Sequence, residues 1–134
     1  MTSQSWNWIP ENVVLAIHEE MLAEHGGLAG IRDQPLLLSA LAKPQNLAAY
    51  DEPDVANLAA AYAAGITRNH AFIDGNKRTG LAVALVFLLD NDYELAAAND
   101  DLVMTMLAVA DGTMSEAELA IWLRTYIRPL VISA

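Results

Sequence analysis

Apolar residues recur along this chain at helical spacing, and polar, glycine and proline positions cut the pattern into six segments. Val14, Ile17, Met21 and Leu22 form the first stripe, opened by Pro10, Glu11 and Asn12 and closed by Gly26 and Gly27 after His25. Asp33 is suited to cap a second helix that tolerates Pro35 in its first turn, carries Leu36, Leu37, Leu38, Ala40 and Leu41, and is expected to end at Pro44. Residues 44–53, PQNLAAYDEP, then read as a loop or short extended flap. Asp54 caps a third helix, VANLAAAYAAGITRN, whose alanines and Gly65 should let a neighbour approach closely and whose Arg68 and Asn69 lead to His70.

Residues 81–89, LAVALVFLL, are apolar nearly all round. Val83 and Val86 would suit a strand, but the length of the segment and its leucine and alanine content predict a central buried helix from about position 76 to 90, with the other helices packed around it. Asn91 and Asp92 make a turn, residues 99–101 are expected to cap a fifth helix carrying Leu102, Met106 and Val109, and Gly112 ends it. Ser115 and Glu118 form a capping box before Leu119, Trp122, Leu123 and Tyr126. No run alternates strongly enough for a sheet, beyond a possible short hairpin at the ends or flap. The pattern therefore predicts an all-α fold: a compact bundle around one central buried helix, with a short flap between helices 2 and 3, in a single domain over residues 1–134.

Composition narrows the function. At 54% hydrophobic the chain can build a core of its own, and its apolar runs fall short of the roughly 18 residues that span a bilayer. MTSQSWNWIP has neither a basic nor an apolar leader region, so the expectation is a cytoplasmic protein. The absence of cysteine excludes disulfides and thiolate metal sites, and 17 acids against 7 bases argue against direct nucleic-acid binding. Trp6, Trp8 and Trp122 have no basic residues interleaved with them and are expected to pack rather than stack on bases.

Against that acidic background, Arg68, Lys77 and Arg78 fall close together, around the segment HAFIDGNKRT at residues 70–79. Such a cluster calls for an anion, and a nucleotide phosphate is the best candidate. Gly75, Asn76 and Lys77 would form the first turn of the fourth helix, with unpaired amide donors and the positive end of the helix dipole. His70, near neutral pH, is the candidate general base for an attacking hydroxyl. Asp74 is a hard oxygen donor suited to magnesium beside a phosphate, although a helix cap would use the same residue. Gly75 permits close backbone approach, Asn76 offers an amide, and Lys77 with Arg78 can balance the charge of a transferring phosphoryl group. Phe72 is expected to anchor the loop from the core. His18 and His25 lack a second ligand-type residue at supporting spacing; both are expected to be surface or core histidines and are assigned no function.

At these residues the chain resembles the Fic/Doc superfamily, whose Fic branch carries HxFxxGNGRxxR and whose Doc branch carries HxFxDxNKRTx. HAFIDGNKRTG follows the second, and GGLAGIRDQPLLLSALAKPQNLAAY is similar to a further Doc-type stretch. The resemblance implies a toxin of a toxin–antitoxin module: a kinase that moves the γ-phosphate of ATP, with magnesium on Asp74, to a threonine of elongation factor Tu. It implies His70, Asp74 and Arg78 as catalytic residues, with Arg68, Gly75, Asn76, Lys77 and Arg78 around the nucleotide. It also implies a Phd-like antitoxin acting in trans, since no [ST]xxxE[GN] inhibitory segment occurs in the sequence. Lys77 stands where Fic proteins have glycine, and Leu81 where they have a second arginine, which favours phosphoryl over nucleotidyl transfer. Fic-type AMP transfer to a protein hydroxyl is the alternative chemistry. A non-catalytic nucleotide-binding module and a plain helical interaction domain are the alternatives from other classes.

Overall fold

A computed structural model describes residues 5–131. It contains helices α1 (Glu11–His25), α2 (Gln34–Tyr50), α3 (Val55–Asn69), α4 (Asn76–Asp90), α5 (Asn99–Asp111) and α6 (Glu116–Tyr126). Strands β1 (Tyr93–Leu95) and β2 (Ile127–Pro129) form one antiparallel pair, with Glu94 opposite Arg128 and bonded to it at 2.7 Å. The fold is all-α apart from this pair, whose strands follow α4 and α6 rather than forming a hairpin.

The helix starts follow local rules. Asp33 accepts the Leu36 amide, while Asp54 with Asn57 and Ser115 with Glu118 make reciprocal capping boxes. Gly112 closes α5 in the left-handed conformation. The cap expected from residues 99–101 is not made: these residues already lie inside α5, and the N-cap position falls to Ala98, which has no side-chain acceptor.

Helix α2 does not stop at Pro44 but runs on to Tyr50, so residues 44–50 are helical and only 51–54 connect to α3. Proline deletes one backbone bond inside a helix. That loss is tolerated because Pro44 itself is buried and Leu47, one turn later, packs against the core. With its backbone bonds used internally, this segment offers no strand edge.

The innermost helix is α3, not α4. Every residue from Leu58 to Thr67 is buried, whereas Leu81, Leu85 and Val86 of α4 are half-buried and Leu89 is exposed. A helix crowded from several sides must be thin, and the alanines of α3 satisfy that requirement better than the leucines of α4. The close approach falls at Gly80 rather than Gly65: a Cβ at position 65 would make ordinary contact with the Ala40 carbonyl at 3.5 Å, but at position 80 it would stand 2.8 Å from the Ala63 carbonyl. In the middle of α3, Tyr62 is fully buried; its hydroxyl accepts the Ile9 amide at 3.0 Å, and its ring meets Phe87, on which Trp6 and Trp8 also pack. These tryptophans are packing residues, as expected.

Candidate active site

Two loops lie side by side at one end of the bundle. The loop after α1, residues 26–33, runs beside the loop from His70 to Gly75. Backbone bonds join them: the Arg32 and Asp33 amides donate to the Ala71 carbonyl and the Ile73 amide donates to the Gly30 carbonyl, with Ile31 and Phe72 paired as a β-bridge. Arg32 also donates through Nε to the His70 carbonyl at 2.7 Å and through Nη2 to the Asn69 carbonyl at 3.3 Å. Its cation thus caps the negative end of α3.

The sequence-predicted residues distribute as follows. His70 is exposed, takes left-handed backbone angles (φ 49°, ψ 44°) and ends α3. Its ring has no hydrogen-bond partner among the described residues, so a nitrogen is open to accept a proton. Phe72 is buried, as expected of an anchor. Asp74 accepts the Leu28 amide on Oδ2 (3.1 Å) and the Gly75 amide on Oδ1 (2.9 Å). The Leu28 and Gly75 amides, with a smaller contribution from the Arg78 guanidinium, hold its carboxyl below the usual aspartate range. Asp74 is therefore anionic at neutral pH, with lone pairs to spare for a hard cation.

Gly75, at φ 77°, occupies the N-cap of α4 without a side-chain cap bond. The first helical bond of α4 is from Thr79 to the Gly75 carbonyl. The amides of Asn76, Lys77 and Arg78 therefore have no partner among the described residues and leave the positive end of α4 open; Gly75, expected in the first turn with a free amide, is instead the N-cap and donates to Asp74.

Two predicted nucleotide contacts depart from expectation. The Asn76 side chain is buried and spent on the loop itself, accepting the Phe72 amide and donating to the Phe72 carbonyl. Only its backbone amide faces the helix mouth. Arg68 donates to the carbonyls of Val109 and Met114, tying α3 to the α5–α6 turn. Its guanidinium is committed there rather than to an anion at the loop.

The remaining cations are allocated in the same way. Lys43 pairs with Glu116, Arg124 with Asp54 and Arg128 with Glu94. Of the seven basic side chains, Lys77 and Arg78 are the two that have neither an ion pair nor a hydrogen bond among the described residues, and both are exposed at the first turn of α4. A groove of about 350 Å³ lies at the other end of α3, lined by Asp51, Glu52 and Glu116 among others. Its acidic lining disfavours an anion there.

Sequence reasoning passed over two residues that build this site, Arg32 and His18. His25 is a surface residue beside Glu24, and His18 is a core residue of α1, both within the expected range; what the expectation lacked is the contact of His18 with the loop. Its Nε2 lies 2.8 Å from the Asp74 carbonyl, and its ring stacks on Phe72 at a centroid distance of 3.8 Å. The only sequence signal is its position beside Val14, Ile17 and Met21 on the core stripe of α1.

Among the described residues no three His, Cys, Asp or Glu side chains cluster to hold a metal on their own. Asp74 alone fits a magnesium ion whose other ligands are phosphate and water oxygens.

A helix start with open amides, an unpartnered imidazole and an anionic carboxylate thus meet on one loop of an all-helical scaffold. The model of the Fic/DOC family matches residues 8–88, and the chain belongs to this family, in its Doc branch. It is 32% identical over 116 residues to "Protein kinase doc" of Escherichia phage P1, covering 86% of this chain and 90% of that protein. It is 44% identical over 79 residues to "Toxin Doc" of Mycolicibacterium smegmatis, covering 56% of this chain and 59% of that one.

Proposed function

We propose that this chain is a Doc-type toxin and a protein kinase, transferring the γ-phosphate of ATP to a threonine hydroxyl of elongation factor Tu. The observation that carries the reading is the allocation of charge: five of seven cations are tied up structurally, and Lys77 and Arg78 are left beside three open amides. The relatives' names, one a kinase and the other a toxin, support the class of activity.

In this reading the α4 amides with Lys77 and Arg78 hold the phosphates, and the exposed His70 accepts the proton of the threonine hydroxyl. The threonine oxygen forms the new bond to the γ-phosphorus as the bond to the ADP oxygen breaks, and Lys77 and Arg78 offset the charge carried by the departing ADP. Asp74 would hold magnesium, which when bound neutralises phosphate charge. Lys77 replaces bare backbone where Fic proteins have glycine, which supports phosphoryl over AMP transfer. Arg68 is left out of the nucleotide site. The chain acts in the cytoplasm as one domain over residues 1–134 and is controlled by a Phd-like antitoxin; among the described residues, no helix is long and apolar enough to cross a membrane.

The test is incubation with elongation factor Tu and ATP labelled at either the α- or the γ-phosphate. Label on a threonine from γ-labelled ATP alone is expected. Label from α-labelled ATP would establish AMP transfer instead, and bound ATP with no product would establish a non-catalytic module. Expression without its antitoxin should arrest growth, and co-expression should restore it.

A further inference from the structure

The peptide unit between Asp74 and Gly75 is held at both ends. Its carbonyl lies 2.8 Å from His18 Nε2, and its N–H donates to the Asp74 carboxylate at 2.9 Å. This is the one peptide of the loop with an intrinsic tendency to turn over. Glycine populates positive and negative φ about equally, so nothing in Gly75 itself keeps φ at 77°. Rotating the plane would point the carbonyl away from α1 and remove the Gly75 amide from Asp74 Oδ1. The carboxylate would then keep only the Leu28 amide, and the entry into α4 would lose its fixed geometry.

His18 is built to prevent that rotation. It is 4% exposed, and its ring is nearly parallel to Phe72, at 9°. Phe72 is itself fixed by two bonds from Asn76. Position 75 also lies against the imidazole, since a Cβ there would stand 3.7 Å from Nε2. Because the partner is a carbonyl, the hydrogen bond requires the proton on Nε2.

We propose that His18 is a positioning residue for the nucleotide site: as the Nε2–H tautomer it locks the Asp74–Gly75 peptide plane, and so sets the aim of the Asp74 carboxylate and of the first α4 amides. The proposal deepens the kinase reading and rests on it for its consequence, though the lock itself exists without nucleotide. His18 touches no substrate. Its effect passes through Asp74 and Gly75.

The proposal separates the hydrogen bond from the stacking contact. His18→Phe keeps the ring on Phe72 and removes the donor; His18→Gln keeps a donor and removes the ring. In nucleotide-free protein, amide hydrogen exchange at Gly75 should accelerate about five- to tenfold in His18→Phe, the size expected for one lost hydrogen bond, and stay near wild type in His18→Gln. The affinity for ATP with magnesium should fall by a similar factor in the first variant alone. The reverse ranking would show that His18 serves only as packing for Phe72, and wild-type behaviour in both would show no role; either result overturns the proposal. The imidazole 15N shifts of the wild-type protein give a check that needs no variant: a proton on Nδ1 rather than Nε2 also overturns it. If wild-type protein binds no ATP, the kinase reading fails while the exchange and tautomer results still decide the lock.

Discussion

Gly80 of α4 sits against Thr67 of α3 so closely that a Cβ at position 80 would lie 2.6 Å from Thr67 Oγ1 and 2.8 Å from the Ala63 carbonyl. The hydroxyl can rotate away, but the carbonyl belongs to a buried helix and cannot. Gly80→Ala should therefore push the two helices apart and destabilise the fold by about 1–3 kcal/mol, despite alanine's better helix propensity. Urea unfolding measures this. Adding Thr67→Ala should recover only part of the loss, because the Ala63 carbonyl stays in place.

His70 combines a functional ring with a strained backbone. Its side chain is exposed and unpartnered among the described residues, so His70→Ala should retain fold and nucleotide affinity while transfer falls by about 10²- to 10⁴-fold, the usual worth of a general base. Its φ of 49° is a conformation that costs residues with a Cβ about 1–2 kcal/mol. His70→Gly should be equally inactive and melt at or above the temperature of His70→Ala. Thermal denaturation of the pair, beside a transfer assay, checks both statements.

What could be read from the sequence was what depends on near neighbours. The caps at Asp33, Asp54 and Ser115 are three-residue relationships, and the open start of α4 follows from Gly75 and the apolar run behind it. The reading failed where the deciding partner is remote. His18 meets the Asp74 carbonyl across 56 positions, Arg32 meets that of His70 across 38, and Arg68 meets those of Val109 and Met114 across 41 and 46. Arg68, close to Lys77 and Arg78 in sequence, is therefore turned away from them in space. The continuation of α2 through Pro44 was hidden for a related reason, since a local breaker was outweighed by burial of Pro44 and Leu47.

Arg32 supports His70 from outside the motif. Arg32→Ala strips two carbonyls at the end of α3 of a charged donor and should cost about 1–2 kcal/mol, given the exposure of the site. It leaves the α4 amides, Lys77 and Arg78 untouched. The turnover rate should therefore fall with little change in ATP affinity, as measured by steady-state kinetics beside calorimetric titration.

Asp54 allows the stability of the bundle to be varied separately from its chemistry, because it caps the end of α3 remote from His70. Its carboxylate accepts the Asn57 amide and pairs with Arg124, and the hydrogen bond from Arg124 is the main reason its carboxyl lies below the ordinary value of 3.8. A carboxyl depressed by folding contributes stability that is complete above its unfolded value and is lost as pH falls through the folded one. Asp54→Asn keeps a cap acceptor and loses the charge. Since both partners are about half exposed, it should cost under about 1 kcal/mol at pH 7, whereas Asp54→Ala, which loses the cap as well, should cost about 1–2 kcal/mol. The wild-type advantage over Asp54→Asn should persist from neutral pH down to about 4 and vanish below the depressed value, so the two curves of unfolding free energy against pH converge in acid. Transfer measured at neutral pH, well below the melting temperature, should be the same in all three proteins; a loss of activity in Asp54→Asn would mean that the two ends of α3 are coupled.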